Sequence, residues 1–364
     1  MSDPNLLVVG AGLIGTSIGL AAAAEGWQVA ITDRDPQRAE VAAAMGAGVA
    51  VAGSVTAATL ALVAVPPAEV AKVALEMLGS MPDATVTHVA SVQSAPAVEV
   101  EALAGPDGQR FVGGHPIAGR EVSGPTAASA DLFADRPWVV CPLAASSPAA
   151  VDAVLHLVRT CRAEPVMLTA REHDELLARL SHAPQVVASA LAATLTGMGS
   201  DAARLAGSGL RDTTRLADSD PAMWGQVAAA NATALAAALR AVAAPLADLA
   251  ERLERDPVAA GAAVHDLVAR GRAGRTLLPG KHGRPAVPLA SVQCLVPDSP
   301  GALARLFGDI AEEAVNVEDL RVEHAPGQPV GFAEVAVAPQ DKERLVDGLR
   351  RRGWVVTEGG EEAL

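Results

Sequence analysis

The sequence predicts an α/β protein in three parts: a doubly wound, mostly parallel sheet, then an all-helical domain, then a small βαββαβ module. Three observations carry this. Gly10, Gly12 and Gly15 stand between a short apolar run and a helical one within the first fifteen residues. Strand patterns recur up to about Leu168 and then vanish until about Leu289. After that point short alternating runs return in the order strand, helix, strand, strand, helix, strand.

The first part begins with Leu6–Val9, a continuously apolar run that stops at a glycine, as a buried parallel strand does. In the turn that follows, Gly10 permits a tight bend and Gly12 lets backbone approach a pyrophosphate. Gly15 lets helix pack on strand, and Leu13 and Ile14 supply free N–H groups at the helix start. Strand, turn and helix come in the order a dinucleotide-binding turn requires. Asp33 closes the next apolar segment, where a carboxylate would hold ribose hydroxyls. It would repel a 2′-phosphate and so favours NAD, although Arg34 beside it leaves room for NADP.

Further strands are expected at 59–65, 86–89, 138–141 and 165–168, and Pro66-Pro67 ends the first of them sharply. That break places Val65 and Pro66 at the carboxyl edge of the sheet, where ligands bind in open α/β folds. From Ala170 to about Arg270, runs such as REHDELLARLSHAPQVVASALAATL carry apolar residues at helical spacing. His173 and His182, nine apart on one regular helix, would face different sides and make no metal pair; no metal site is expected. The Gly-, Arg- and Pro-rich run at 271–288 reads as a linker. The expected domains are therefore 1–169, 170–270 and 289–364.

Composition excludes several function classes. Half of the 364 residues are hydrophobic, but there are only four Phe, four Trp and no Tyr, so small side chains must let helices pack closely. A net charge of −14 argues against nucleic acid, whose phosphates need a basic surface. Cys141, Cys161 and Cys294 are too scattered for a disulfide framework or a zinc site and read as small buried hydrophobes. No charge-free span long enough for a bilayer is apparent, and the first strand leaves no room for a signal peptide. Cytoplasmic residence is the expectation.

Three segments carry candidate chemistry. Ser91, in HVASVQSAP, follows a strand and should lie at the carboxyl edge beside a nicotinamide. His115, in FVGGHPIAGREVSGP, sits in what reads as a constrained loop, a poor place for packing and a good one for proton transfer. GSGLRDTTRLADSDPAMWGQ holds Arg211, Asp212, Arg215, Asp220 and Trp224, which on residue type alone could be a solvated helix end.

Taken together, GAGLIGTS with Asp33, ASV around Ser91, GGHPIAGRE, EHDELLARLSHAP and GLRDTTRLADSDPAMW give a chain that resembles the prephenate/arogenate dehydrogenase family of tyrosine biosynthesis, nearly end to end. The likeness implies a Rossmann-type N-terminal domain and a helical dimerisation domain. The C-terminal ferredoxin-like module looks like an ACT domain, PDSPGAL at 297–303 fitting that family's ligand-binding turn. It also implies roles. His115 would take the C4 hydroxyl proton of a cyclohexadiene substrate while hydride leaves for NAD, and Ser91 would hold that oxygen. Arg215 would grip a substrate carboxylate, Trp224 would close the pocket, and His182 and residue 185 would line it.

Two departures bear on the substrate. The family's usual Asp-Val-x-Ser-Val-Lys is here His88-Val-Ala-Ser-Val-Gln93, and its Ser-His-x-Pro-His is Ser181-His182-Ala-Pro-Gln185. The expectation is a homodimeric, NAD-dependent enzyme converting prephenate, with an amino-acid effector at the C-terminal module. Alternatives are arogenate or 4-amino-4-deoxyprephenate as substrate, a general β-hydroxyacid dehydrogenase, or a redox-silent sensor of NAD and an amino acid.

Overall fold

A computed structural model describes residues 5–52, 58–119, 124–199, 204–278, 289–324 and 329–358. The chain divides into two compact units, Met1–Pro245 and Leu246–Leu364.

In the first unit, β1 (Asn5–Val9), β2 (Gln28–Thr32), β3 (Val49–Ala50), β4 (Leu60–Val63), β5 (Thr85–His88), β6 (Phe111–Pro116), β7 (Pro137–Pro142) and β8 (Glu164–Met167) form one sheet. Its order is β3-β2-β1-β4-β5-β6-β7-β8, parallel except where β7 runs against β6. The first six strands thus follow the 3-2-1-4-5-6 order of a dinucleotide-binding sheet. Helices α1 (Leu13–Ala24), α2 (Pro36–Ala44), α3 (Val70–Ser80), α4 (Ser94–Leu103) and α5 (Pro148–Thr160) connect the strands. Two cores result, one built around Leu6, Val8, Ile18 and Ile31, the other around Leu7, Val63, Val86 and Phe111. Successive strand residues feed opposite cores because side chains alternate across a sheet.

The segment expected as a loop around His115 is instead strand β6, and the reason is packing rather than propensity. A Cβ on Gly113 would lie 2.4 Å from Gln93 Oε1, and one on Gly114 would lie 3.0 Å from Trp138 Nε1. Side chains from neighbouring elements fill both faces, so only glycine fits there.

Beyond the sheet come α6 (Ala170–Leu177), a π-helical turn (Ala178–His182), α7 (Ala183–Ala193), α8 (Ser208–Thr214), α9 (Pro221–Ala230), α10 (Ala232–Arg255) and α11 (Pro257–Arg275). Thr169 caps α6 in a reciprocal box with Glu172. The run expected as a linker begins inside α11, and residues 279–288 of it lie outside the described residues. Helix α10 is long and apolar enough to cross a membrane by length and composition, although it is not charge-free, since Arg240 and Asp248 lie within it.

In the second unit, β9 (Ala290–Pro297), α12 (Ala302–Glu312), β10 (Asp319–His324), β11 (Val330–Val337), α13 (Lys342–Arg351) and β12 (Val356–Glu358) realise the expected βαββαβ order. Its antiparallel sheet runs β10-β11-β9-β12, with Leu306, Ile310, Leu345 and Leu349 of the two helices buried in its core. Cys141, Cys161 and Cys294 are free thiols, all buried.

Candidate active site

Four strand ends define the carboxyl edge of the parallel strands. Gly10 follows β1, Val65 and Pro66 follow β4, Ser91 follows β5, and His115 is the penultimate residue of β6. Parallel register makes this convergence a consequence of topology.

The glycine turn fits a dinucleotide. At Gly10 the backbone is left-handed (φ +113°), and a Cβ there would lie 2.3 Å from Ala64 O. A Cβ on Gly15 would lie 2.0 Å from Gly10 O, whereas one on Gly12 meets nothing within 4 Å. Gly10 and Gly15 are therefore needed by the fold, and Gly12 keeps open the space at the α1 N-terminus, where Leu13 and Ile14 begin the helix. No side chain caps that end, so its N–H groups are available to phosphates. Asp33 Oδ2 accepts from Ala11 N at 2.7 Å and Oδ1 from Asp35 N at 2.9 Å, which fixes the carboxylate at the turn. Arg34 beside it is exposed.

His115, half-buried, places Nδ1 2.9 Å from His173 Nε2, and His173 Nδ1 lies 2.8 Å from Asp174 Oδ1. Asp174 in turn accepts from the backbone N–H of Gln93 at 2.9 Å and of Ser94 at 2.8 Å. Burial opposes its ionisation, but these hydrogen bonds and the one from His173 outweigh that and hold the carboxyl below its usual range. Burial, with the neighbouring rings of His173, His88 and His182, pulls His115 well below the ordinary histidine value, against the opposing pull of Asp174. The resting imidazole is therefore neutral and able to accept a proton.

His173 and His182 are both buried, and the chain between them winds through the π turn that ends at His182. Asn231 Nδ2 donates to Asp174 O at 2.8 Å and lies 3.2 Å from His182 Nδ1, linking the two histidine-bearing segments. The edge of Trp224 meets the His182 ring at 6.0 Å between centroids. Helix α9, which carries Trp224, packs on the Pro67–Glu69 turn beside Val65 and Pro66.

Gln185 is buried and donates from Nε2 to Leu216 O at 2.6 Å, while its Oε1 accepts from Ser219 Oγ at 3.4 Å. It thus anchors the exposed 3-10 turn that begins at Arg215. Asp220 caps α9 through Ala222 N at 2.8 Å, so that member of the charged cluster is structural. His173, Asp174, Gln93 and Asn231 were not read as site residues from sequence, although two of them lie in the quoted EHDELLARLSHAP run. Residues 120–123 of the GGHPIAGRE–SGP stretch lie outside the described residues. Among the described residues no group of three or more His, Cys, Asp or Glu could hold a metal.

A dinucleotide turn with a buried histidine relay at the same sheet edge defines a nicotinamide-nucleotide dehydrogenase with a helical second domain. Family models agree: residues 18–167 match "Prephenate dehydrogenase, nucleotide-binding domain" and residues 169–260 match "Prephenate dehydrogenase, dimerization domain". The chain is 37% identical to a probable prephenate dehydrogenase, NovF, of Streptomyces niveus, over 96% of this chain and 98% of that one. It is 32% identical to the prephenate dehydrogenase of Bacillus subtilis over 60% of this chain and 62% of the other. Among solved structures, A. aeolicus prephenate dehydrogenase with hydroxyphenyl propionate and NAD+ superposes with a TM-score of 0.68 at 25% identity, covering 75% of this chain and 99% of that one. Synechocystis arogenate dehydrogenase gives 0.62 at 26% identity, over 74% and 98%. The chain belongs to the prephenate dehydrogenase family, and it is an NAD-dependent oxidoreductase.

Proposed function

We propose that this enzyme converts prephenate to 4-hydroxyphenylpyruvate by oxidative decarboxylation, with His115 as the base. The observation that supports it best is the neutral His115 ring at the carboxyl edge, fixed through Nδ1 and leaving Nε2 for substrate. Bound NAD supplies the hydride acceptor. His115 takes the C4 hydroxyl proton as hydride leaves C4, and Ser91 holds that oxygen. The resulting C4 carbonyl accepts the electron pair released when the C1 carboxylate departs as CO2. The proton held on His115 then returns to the phenol oxygen, so none is gained or lost overall. Arg215 grips a substrate carboxylate through its planar fork, on the turn that Gln185 anchors, with Trp224 and His182 forming the wall beside it.

The same reading takes residues 1–169 as the nucleotide domain, 170–270 as the helical one and 289–364 as an ACT-like module. Pairing of two chains through the helical domain is supported by the exposed apolar side chains of Leu191, Leu195, Met198 and Val242. That pairing also accounts for the length and apolarity of α10 without a membrane, and it fits cytoplasmic residence. In the C-terminal module, left-handed Gly301 at the turn from β9 into α12 supports an amino-acid effector site there. Gln185, a neutral amide where the family commonly has histidine, keeps an amine-bearing analogue in contention.

The test compares NADH formation from prephenate, arogenate and 4-amino-4-deoxyprephenate at equal enzyme. Highest kcat/KM with prephenate is expected. Preference for either amine would reassign the substrate, and turnover of none would favour a redox-silent sensor.

A further inference from the structure

The structure assigns His173, Asp174 and Gln93 to a closed hydrogen-bonded ring that fixes the tautomer of His115, so that Nδ1 carries the proton and Nε2 is the free base. The inference rests on His115 being the base, as proposed above, and asks what holds it ready.

The logic begins at Asp174. Its carboxylate takes N–H bonds from Gln93 and Ser94 at the first turn of α4, an electropositive helix start, and so stays ionised. A carboxylate only accepts, so the 2.8 Å bond to His173 Nδ1 must be donated by the ring. Where that is the ring's only proton, Nε2 of His173 is bare. At 2.9 Å, His115 Nδ1 must then be the donor to that atom. One charge, two rings away, thereby sets which nitrogen of His115 meets substrate.

Gln93 completes the ring from the other side. Its Nε2 donates to Ala90 O at 2.8 Å and to Gly114 O at 3.0 Å, the residues immediately before Ser91 and His115. One residue therefore holds Asp174 through its main chain and both catalytic segments through its side chain. Gln93 stands where the resembling family has lysine, and its amide supplies two donors to buried carbonyls without adding a charge. These three are positioning residues; none needs to touch substrate.

The titratable groups facing His115 among the described residues are His88 on β5, His173 and Asp174 on α6, and His182 on the π turn. Asp174 is the negative one, and it favours protonated His115. Its removal should lower the pKa of His115 and move the acid limb of kcat/KM to lower pH.

Three measurements test this together. In wild-type enzyme, imidazole nitrogen NMR, assigned with His115→Asn, should show the proton of His115 on Nδ1; a proton on Nε2 would overturn the ring. Asp174→Asn should lose roughly 10²–10⁴-fold in kcat with NAD affinity retained and the acid limb displaced downward. An unmoved limb or unchanged kcat overturns the proposal. Gln93→Met should lower kcat more than it raises KM; unchanged kcat would remove Gln93 from the ring. If His115→Asn itself still turns over, the base assignment fails instead, which separates the two failures.

Discussion

His88 and Gln93 converge beneath the glycine of β6, and a charge cycle there gives a sharp test of the buried site. A Cβ on Gly113 would sit 2.4 Å from Gln93 Oε1 and 3.2 Å from His88 Nε2, so both side chains end at one place. His88 Nδ1 accepts from Ala90 N at 3.2 Å, which puts its proton on Nε2, and both Nε2 and Gln93 Oε1 are buried without a hydrogen-bond partner among the described residues. His88 is fully enclosed and stacks on Phe111 at 5.7 Å. Gln93→Lys alone would bury an ammonium among carbonyls, the neighbouring Asp174 carboxylate being already taken up by His173 and the backbone N–H groups of Gln93 and Ser94. His88→Asp alone would bury a carboxylate with no cation. Each uncompensated charge should cost about 3–5 kcal/mol, whereas the double variant recreates an opposite pair at one point. The expected coupling energy is about 2–5 kcal/mol, so the double variant should be more stable by that amount than the sum of the two single effects. Urea unfolding followed by tryptophan fluorescence would measure it, since Trp138 lies against Gly114. Effects that add to within about 0.5 kcal/mol would refute the shared location.

Other expectations follow from the same geometry. Gly10→Ala should destabilise the fold by about 1–3 kcal/mol through its left-handed backbone alone, read as a fall in Tm. Gly12→Ala should fold normally and lose NAD affinity in a calorimetric titration, because its methyl fills only the space kept for phosphate. Burial lowers His88 from 6.5 to about 3, so below pH 6.5 the unfolded chain takes up a proton that the folded one refuses. The His88 contribution to stability should therefore fall by about 1.4 kcal/mol per pH unit on acidification toward 3, and His88→Gln should make the acid slope in thermal melts shallower by that contribution, His115 keeping its own. Arg215→Lys should raise KM for prephenate roughly tenfold or more, because a point charge cannot reproduce a bidentate grip.

The parts of this protein legible in sequence are those set by local chemistry. The Gly10–Gly15 turn, Asp33, the alternating strands and the βαββαβ order all follow from period and turn residues. Strand β6 was hidden because two glycines and a proline follow Phe111 and Val112 in FVGGHP; its glycines answer to Gln93, His88 and Trp138, which come from other segments. The burial of both His173 and His182 was hidden because a π turn breaks the regular helical winding from which side-chain directions are inferred. Asp174 looks like an ordinary helix-surface acid until α4 is seen to begin against it. The hydrogen bonds of Gln185 run to the backbone of Leu216 and to Ser189 and Ser219, and the long-range ones no spacing rule would show.

The central claim is that one neutral imidazole removes the substrate proton. The most direct measurement is NADH formation from prephenate by His115→Asn, after calorimetry has shown that the variant still binds NAD. The predicted result is a fall in kcat of roughly 10²–10⁴-fold at unchanged NAD affinity; turnover within tenfold of wild type would contradict the account.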